Sequence, residues 1–385
     1  MIYNWVGPVF PLNFIYDIGN FSVLLLILCI ILKKKKILNK LSFCKVFILL
    51  STPFLFNNFF VDPSLFPDQS KYTFGAKFAR ENLNYEFLFH DFKVFVANII
   101  YSVSPVLSFE TYKTIGFINR FLFILVLLLF ITEKKIDNLS LIILIFSPSI
   151  TLYTSIALRD ILSALSLILC FYYWLNKRNF FLSLFLFFLA IMLKYQNLIF
   201  FVIMIFSYFA INYREKIITY LIILFFCVII FYFSTEIIEI SNNYRKGLFL
   251  EEYGAYKASG TLIFYNEISF NLKFLSSLPS LYLKFIFSPF EVGSIKKIIL
   301  CLESIVILSF ILFQIFKLYK KNREIFFVTI FNFLITTFIY SIFIYNSGTS
   351  HRYKTMLYFT FLFLISILNN NYKKLNENTL FNIKS

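Results

Sequence analysis

Long apolar runs separated by short polar connections fill almost the whole chain. A helix needs ~20 apolar residues to cross the hydrocarbon core of a bilayer, and about eleven runs approach that length. The predicted spans are residues 13–32, 44–60, 114–132, 139–157, 161–176, 180–193, 197–212, 217–234, 298–316, 325–345 and 355–369. The pattern therefore predicts an all-α, polytopic integral membrane protein in which residues 1–385 form a single transmembrane domain.

The basic residues orient these spans in the membrane. Lys and Arg cluster in alternate connections, starting with Lys33–Lys36, as they do on the cytoplasmic side of membrane proteins. This arrangement predicts an N-terminus outside and a C-terminus inside, with external segments at about 61–113 and 235–296. The apolar run 276–290 is interrupted by prolines and a lysine, so we expect a re-entrant or interfacial helix there.

Composition narrows the class of protein. Only 15% of the residues are charged, against about a quarter in soluble domains, which excludes a soluble protein. The net charge of +16 does not indicate a nucleic-acid partner, because the basic residues are spread over many short loops. They suit contact with anionic membrane lipids instead. The abundance of Phe, Ile, Asn and Lys is typical of AT-rich bacterial coding sequences, so the expected location is the bacterial inner (cytoplasmic) membrane.

The sequence offers no motif for a metal or a cofactor. Its five cysteines lie in or beside apolar runs without metal-ligand spacing, and it has only two histidines. It contains no phosphate-binding loop, no dinucleotide fingerprint and no hydrolase nucleophile motif. We therefore expect neither a metal site nor a cofactor.

Three short connections on the predicted outer face carry cations that the membrane orientation does not explain. They are residues 158–160, 194–196 and 346–354. Cations on the translocated side oppose insertion, so we expect an anionic ligand to interact with them. A guanidinium can fork onto phosphate oxygens, and an ammonium supplies a point charge. The candidate diphosphate-binding residues are Arg159, Lys194, Arg352 and Lys354.

Structural roles compete with ligand binding at each of these positions. Arg159 and Asp160 could instead lie at helix ends, where the helix dipole favours them. Lys194 and the cations of residues 346–354 could be interfacial side chains that extend toward water. In that last connection, Gly348 would permit a turn whose N–H groups point at an anion.

Acids and intramembrane polar residues complete the set of candidates. Asp68 follows a proline-stiffened turn after the second span and could act as general base toward a sugar hydroxyl, or simply form an Asx turn. Asp160 is the other candidate catalytic acid. Arg120 and Glu303 could pair with each other or line one cavity, and Pro148 could kink its span.

Residues 147–160 and 346–354 resemble motifs of the Wzy and EpsG-like bacterial polysaccharide polymerases, which join O-antigen or exopolysaccharide repeat units. In that family, outward arginines hold sugar chains linked to polyprenyl diphosphate. The resemblance implies this role for Arg159 and Arg352, with Lys194 and Lys354 as supporting cations. The external segments carry fewer arginines than the family's large loops, which argues against a site confined to one loop.

The resemblance implies an enzyme, a membrane glycosyltransferase that polymerises polyprenyl-diphosphate-linked oligosaccharide repeat units at the outer face of the inner membrane. Asp68 or Asp160 would orient or deprotonate the acceptor hydroxyl, and other polysaccharide-assembly proteins are expected partners. One alternative is a GT-C-type glycosyltransferase using a polyprenyl-phosphate sugar donor, with Asp68 as its base, although such enzymes usually begin inside. A lipid-linked sugar transporter or flippase is a second alternative, and it would require inverted repeats with broken helices.

Overall fold

A computed structural model describes six long stretches of the chain and several short pieces. The stretches are residues 14–56, 68–82, 92–177, 179–198, 295–344 and 347–382. The short pieces are residues 239, 242–243, 246, 279–280 and 282–288. Within these residues the chain is helical and contains no strand, so the all-α prediction is confirmed for this part.

The described helices are numbered here in chain order. They are α1 (Phe14–Lys34), α2 (Lys40–Phe56), α3 (Asp68–Asn82), α4 (Phe92–Ser102), α5 (Tyr112–Thr132), α6 (Asn138–Phe146), α7 (Pro148–Ser155), α8 (Asp160–Tyr172), α9 (Phe180–Leu193), α10 (Ile295–Tyr319), α11 (Arg323–Phe343) and α12 (Ser347–Asn382). A π-helical turn, Tyr173–Lys177, extends α8, and a 3-10 turn, Tyr195–Asn197, follows α9.

Several of these helices have the length and composition of membrane spans. Among the described residues, α1, α5 and the part of α10 from Ile298 to Tyr319 pass as single spans, and α6 with α7 makes a fourth if the pair is one bent span. Helices α4, α9 and most of α11 are apolar but shorter. These helices support a membrane-embedded protein. The predicted span 197–212 from residue 199 onward, the predicted span 217–234 and most of the segment 235–296 lie outside the described residues.

The predicted span 139–157 is not one straight helix. Helices α6 and α7 bend by 60° at Ser147, so the expected kink at Pro148 is a break. Pro148 has no N–H with which to continue the hydrogen bonds of α6. Ser147 then starts α7 by accepting a hydrogen bond from the N–H of Ile150 at 3.1 Å.

Contacts divide the chain into two compact units, and each is described by itself. Unit 1 comprises residues 1–197 and 362–385, and unit 2 comprises residues 198–361. Helix α5 is the centre of unit 1, because it packs against α1, α2, α3, α7 and α8. Asn119 and Arg120 follow Gly116 by three and four residues, so all three lie on the same side of α5. This side faces α7 and the residues that follow α7.

The segment before α5, predicted to be external, is held by polar residues buried in α1. The side-chain carbonyl of Asn20 accepts from the N–H of Leu107 at 2.8 Å, and its amide donates to the carbonyl of Ser108 at 2.9 Å. Asp17 pairs with Lys113 at 3.3 Å and accepts a hydrogen bond from the Thr111 hydroxyl. The loop from α4 to α5 therefore has partners for its polar groups inside the protein.

Helix α3 packs against α4 and binds the same loop from the other side. Arg80 donates to the carbonyls of Val106 at 2.8 Å and Ser104 at 3.0 Å. Lys77 donates to the Glu110 carboxylate at 2.7 Å, and that hydrogen bond raises the pKa of the Lys77 ammonium. In its described part, the predicted external segment thus consists of α3, α4 and the loop that leads to α5, and α3 packs against α5.

Unit 2 contains α10, α11 and the first turns of α12. Asn322 begins α11 by accepting from the N–H of Ile325 at 3.0 Å. Phe333 of α11 packs against Tyr358 of α12, with ring centroids 6.1 Å apart. Tyr282 reaches the hydroxyl of Thr337 at 3.0 Å, so the segment 282–288 is attached to α11.

Replacing Gly116 with Ala should reduce stability, because the added Cβ would overlap the carbonyl oxygen of Ser155. We expect a loss of about 1–3 kcal/mol, measured as thermal unfolding of the purified protein in detergent. Gly19→Ala is the matched control, since its Cβ would meet only the end of the exposed Leu107 side chain. Equal stability of the two variants would contradict the close packing of α5 on α7.

Candidate anion-binding site

A buried, non-helical connection joins α7 to α8, and its backbone is satisfied by side chains from other helices. The amide of Asn119 donates to the carbonyls of Ile156 at 2.9 Å and Leu158 at 3.0 Å. The Tyr101 hydroxyl lies 3.0 Å from the Leu158 carbonyl and 2.9 Å from Asn119 Oδ1, and its single proton serves one of them at a time. These side chains hold the chain immediately before Arg159.

The start of α3 meets the same connection. Gln69 accepts a hydrogen bond from the N–H of Ala157 at 3.1 Å. Asp68 is the residue before Gln69 and the first residue of α3, where a carboxylate is favoured by the helix dipole. The half-buried candidate base Asp68 therefore lies beside the connection that carries Arg159 and Asp160.

Asp160 and Lys194 form a buried ion pair. Lys194 Nζ lies 3.0 Å from Asp160 Oδ1, and the two side chains are 9% and 4% exposed. Asp160 is the first residue of α8, and Arg159 precedes it at the capping position without a side-chain capping bond. The pair is neutral, so Arg159 gives this group of three residues a net charge of +1 (two cations less one acid).

The hairpin from α8 to α9 fixes the position of Lys194. Asn197, at the end of the 3-10 turn, donates to the Ser163 hydroxyl at 2.6 Å and to the carbonyl of Ala190 at 2.8 Å. Lys93 of α4 adds another cation next to this turn, with its ammonium 3.8 Å from the centroid of the Tyr195 ring. Lys93 was not among the predicted site residues.

The remaining two predicted cations belong to unit 2. Lys354 is buried, and its ammonium donates to the carbonyl of Ile286 at 3.0 Å and to that of Ser288. Ile286 is the last residue of the helical segment 282–286, where a cation is favoured by the helix dipole, and Ser288 lies two residues beyond it. Arg352 is half-buried. The binding of a diphosphate by Arg352 and Lys354 stays a prediction.

The prediction of a turn at Gly348 is wrong, because residues 347–354 form the first turns of α12. Glycine and hydroxyl residues are typical of turns, but a helix that begins among them has free backbone N–H groups in its first turn as well. Arg352 and Lys354 therefore lie on a helix rather than in a loop. The two side chains are therefore two positions apart on the same helix.

Sequence reasoning missed the residues that hold the connection, namely Gln69, Tyr101 and Asn119. A signal existed for Asn119, since a polar side chain inside an apolar span is costly unless it has a partner. Arg120, the next residue, donates to the carbonyl of Leu49 and the hydroxyl of Thr154. Its proposed partner Glu303 belongs to unit 2.

Among the described residues, no group of three His, Cys, Asp or Glu side chains could hold a metal ion. The predicted ligands are instead guanidinium and ammonium groups, whose chemistry fits an anion. No protein-family model, no curated protein and no solved structure matches the chain. The residues of the site are therefore the basis for the proposed function.

Breaking the Asp160–Lys194 pair from one side should cost more stability than removing both charges. Asp160→Leu and Lys194→Met should each lose about 3–5 kcal/mol, because each leaves a buried charge without its partner. The double variant should be more stable than either single variant, as measured by unfolding in detergent. The exposed pair Lys177–Glu133, at 2.8 Å, is the matched control and should contribute about 0–1 kcal/mol. Strictly additive losses at Asp160 and Lys194 would contradict the coupling.

Proposed function

We propose that this protein is a glycosyltransferase of the bacterial inner membrane that polymerises polyprenyl-diphosphate-linked oligosaccharide repeat units. In this proposal about eleven spans cross the membrane, with the N-terminus outside and the reaction at the outer face. The observation that supports it is the meeting of Arg159, the Asp160–Lys194 pair and the start of α3 at one buried connection. The proposed reaction uses one cation (Arg159), a second cation that is paired with an acid (Lys194 with Asp160), and a separate acid (Asp68).

The reaction transfers a sugar from one lipid carrier to another. A hydroxyl of the acceptor attacks the anomeric carbon of the donor sugar, and a new glycosidic C–O bond forms. The bond from that carbon to the diphosphate oxygen breaks, and the polyprenyl diphosphate leaves with the electron pair. Arg159 and Arg352 would stabilise the developing negative charge. Because the diphosphate is itself the leaving group, no nucleotide is needed.

The two candidate acids take different roles in this proposal. Asp160 is already engaged, because its Oδ1 accepts a hydrogen bond from the Lys194 ammonium at 3.0 Å. Asp68 starts a helix, lies beside the connection and is the better candidate to accept the proton of the acceptor hydroxyl. Lys194 would then shift from Asp160 toward the diphosphate as the ligand binds.

Two alternatives each have one observation in their favour. A GT-C-type transferase that uses a polyprenyl-phosphate sugar needs one phosphate site and one acid, and Arg159 with Asp68 supplies both in unit 1 alone. A lipid-linked sugar transporter would use broken helices, and the bend between α6 and α7 is one. The glycan that the cell makes distinguishes each alternative from polymerisation.

The proposed orientation can be tested by labelling single cysteines in a chain whose native cysteines are replaced. A membrane-impermeant maleimide added to intact spheroplasts should react at Val103→Cys and Thr349→Cys. It should not react at Lys134→Cys or Lys320→Cys until the membrane is permeabilised. Val103 is 77% exposed, so slow reaction there would not be explained by burial. Outside labelling at either lysine position would overturn the orientation.

Deletion of the protein should collapse the surface-glycan ladder to core plus one repeat unit, while lipid-linked repeats accumulate. Complementation with Arg159→Ala or Arg352→Ala should fail although the variant reaches the membrane in normal amount. Arg→Lys should restore activity only in part, since an ammonium cannot fork onto phosphate oxygens. Arg323→Ala, a change in the proposed cytoplasmic turn, is the control and should complement.

The glycan pattern separates the three functions. A ladder of normal length that lacks one side-branch sugar would identify a single-sugar transferase. An unchanged ladder would exclude both enzymes and leave transport. Full activity of both alanine variants would show that the two arginines do not bind the diphosphate.

A further inference from the structure

Arg120 is a fully buried cation in the interior of α5. Its Nε donates to the carbonyl of Leu49 at 2.9 Å, and its Nη1 donates to the hydroxyl of Thr154 at 2.6 Å. The ring of Phe123 lies 4.8 Å from the guanidinium carbon, and among the described residues Nη2 has no hydrogen-bond partner. Both hydrogen-bonded acceptors are neutral, so this charge is costly to bury and needs a physical reason.

The carbonyl of Leu49 is available because of Pro53. In a helix this carbonyl would accept from the N–H four residues later, but Pro53 has none. Arg120 supplies the missing donor from another helix. The Thr52 hydroxyl donates to the same carbonyl at 3.0 Å, so the oxygen has two donors. Pro53 therefore makes an attachment point for α5 on α2.

The end of α7 is attached to this same point. The Thr52 and Ser155 hydroxyls lie 2.7 Å apart, so one donates a hydrogen bond to the other. Thr154 uses its own proton on the carbonyl of Ile150 at 2.7 Å and so can accept from Arg120. Arg120 thus bridges the Leu49 carbonyl of α2 and the last turn of α7.

Arg120 and Asn119 hold consecutive parts of one segment. Arg120 binds Thr154, and Asn119 binds the carbonyls of Ile156 and Leu158. Arg159 follows directly. Two adjacent residues of the most central helix of unit 1 thus fix the whole path of the chain into the candidate site.

We infer that Arg120 is a positioning residue, which fixes the end of α7 against α2 and thereby places Arg159 and the Asp160–Lys194 pair for the reaction. The inference rests on the proposed function for its effect on activity, but not for its effect on geometry. It explains why an arginine is buried with acceptors that, in the described part of the chain, are all neutral. A planar group with donors on separate nitrogens can donate to the Leu49 carbonyl and the Thr154 hydroxyl together.

The activity test uses Pro53 to separate stability from positioning. Arg120→Met should lower stability and slow ladder formation roughly hundredfold at normal protein level, since a small misplacement of a reacting group has such effects. The added change Pro53→Ala returns an N–H to α2 that can pair with Leu49. The double variant should regain stability but not turnover, because the link to α7 is still absent.

Arg80→Met is the matched control for activity. Arg80 also donates to two carbonyls and also faces a ring, that of Phe109 at 5.1 Å. It lies at the far end of α3 from Asp68, so its loss should lower stability and leave turnover unchanged. Rates are measured in membranes of the deletion strain, where lipid-linked repeats accumulate as substrate.

A crosslinking test measures position without any glycan product. In a chain freed of native cysteines, Thr52→Cys with Ser155→Cys should form a disulfide on mild oxidation, since the native hydroxyls lie 2.7 Å apart. The yield is counted as the loss of thiols that accept polyethylene-glycol maleimide after denaturation. Arg120→Met should lower this yield severalfold, with or without Pro53→Ala.

The α8–α9 hairpin supplies the control crosslink. Cys170 Sγ lies 3.3 Å from the Ser183 hydroxyl, so native Cys170 with Ser183→Cys should also crosslink. Its yield should not respond to Arg120→Met, because Arg120 does not contact this pair.

The outcomes are distinct for the inference and for the proposed function. An unchanged yield between positions 52 and 155 in Arg120→Met would overturn the inference even if the ladder collapses on deletion. A reduced yield supports it even if no ladder depends on the protein. Joint recovery of stability and turnover in the double variant would make Arg120 a structural residue only. A double variant no more stable than Arg120→Met would contradict the role of Leu49.

Discussion

Satisfaction of buried backbone groups is the constraint on which the described structure of unit 1 depends. In an apolar surrounding no water is available, so each carbonyl or N–H outside a regular helix needs a partner within the protein. The connection before α8, the loop before α5 and the carbonyl left over by Pro53 are three such places. Each is satisfied by a polar side chain on a neighbouring helix, and these side chains set how α1, α3 and α5 pack.

The apolar helices were predictable because length and hydrophobicity alone decide them. The predicted spans 13–32, 114–132 and 180–193 agree with α1, α5 and α9 to within two residues. Two features were not predictable in detail. The proline in the span 139–157 indicated a kink, but the size of the bend depends on what α7 packs against. The residues 346–354 have turn composition, yet they are helical, because local preferences are weak beside tertiary contacts.

The candidate site was predictable in its charges but not in its contacts. Arg159, Asp160 and Lys194 stand out in sequence because charge is rare near apolar runs. Their pairing joins residues far apart in the chain, and nothing in their spacing indicates which cation meets which acid. The same holds for Gln69 and Asn119, whose roles depend on the fold. Lys354 was also predicted from its charge to bind phosphate. In the structure its ammonium donates to two backbone carbonyls.

The Asp160–Lys194 pair also bears on how the hairpin of α8 and α9 enters the membrane. In the proposed orientation, the two residues mark the outer ends of two antiparallel helices that insert together. A lone lysine at the outer end of α9 would have to be carried across the bilayer as a charge. Paired with the acid at the outer end of α8, it crosses as part of a neutral unit, and the cost of translocation falls. Correct insertion of α9 would then depend on a residue synthesised before it.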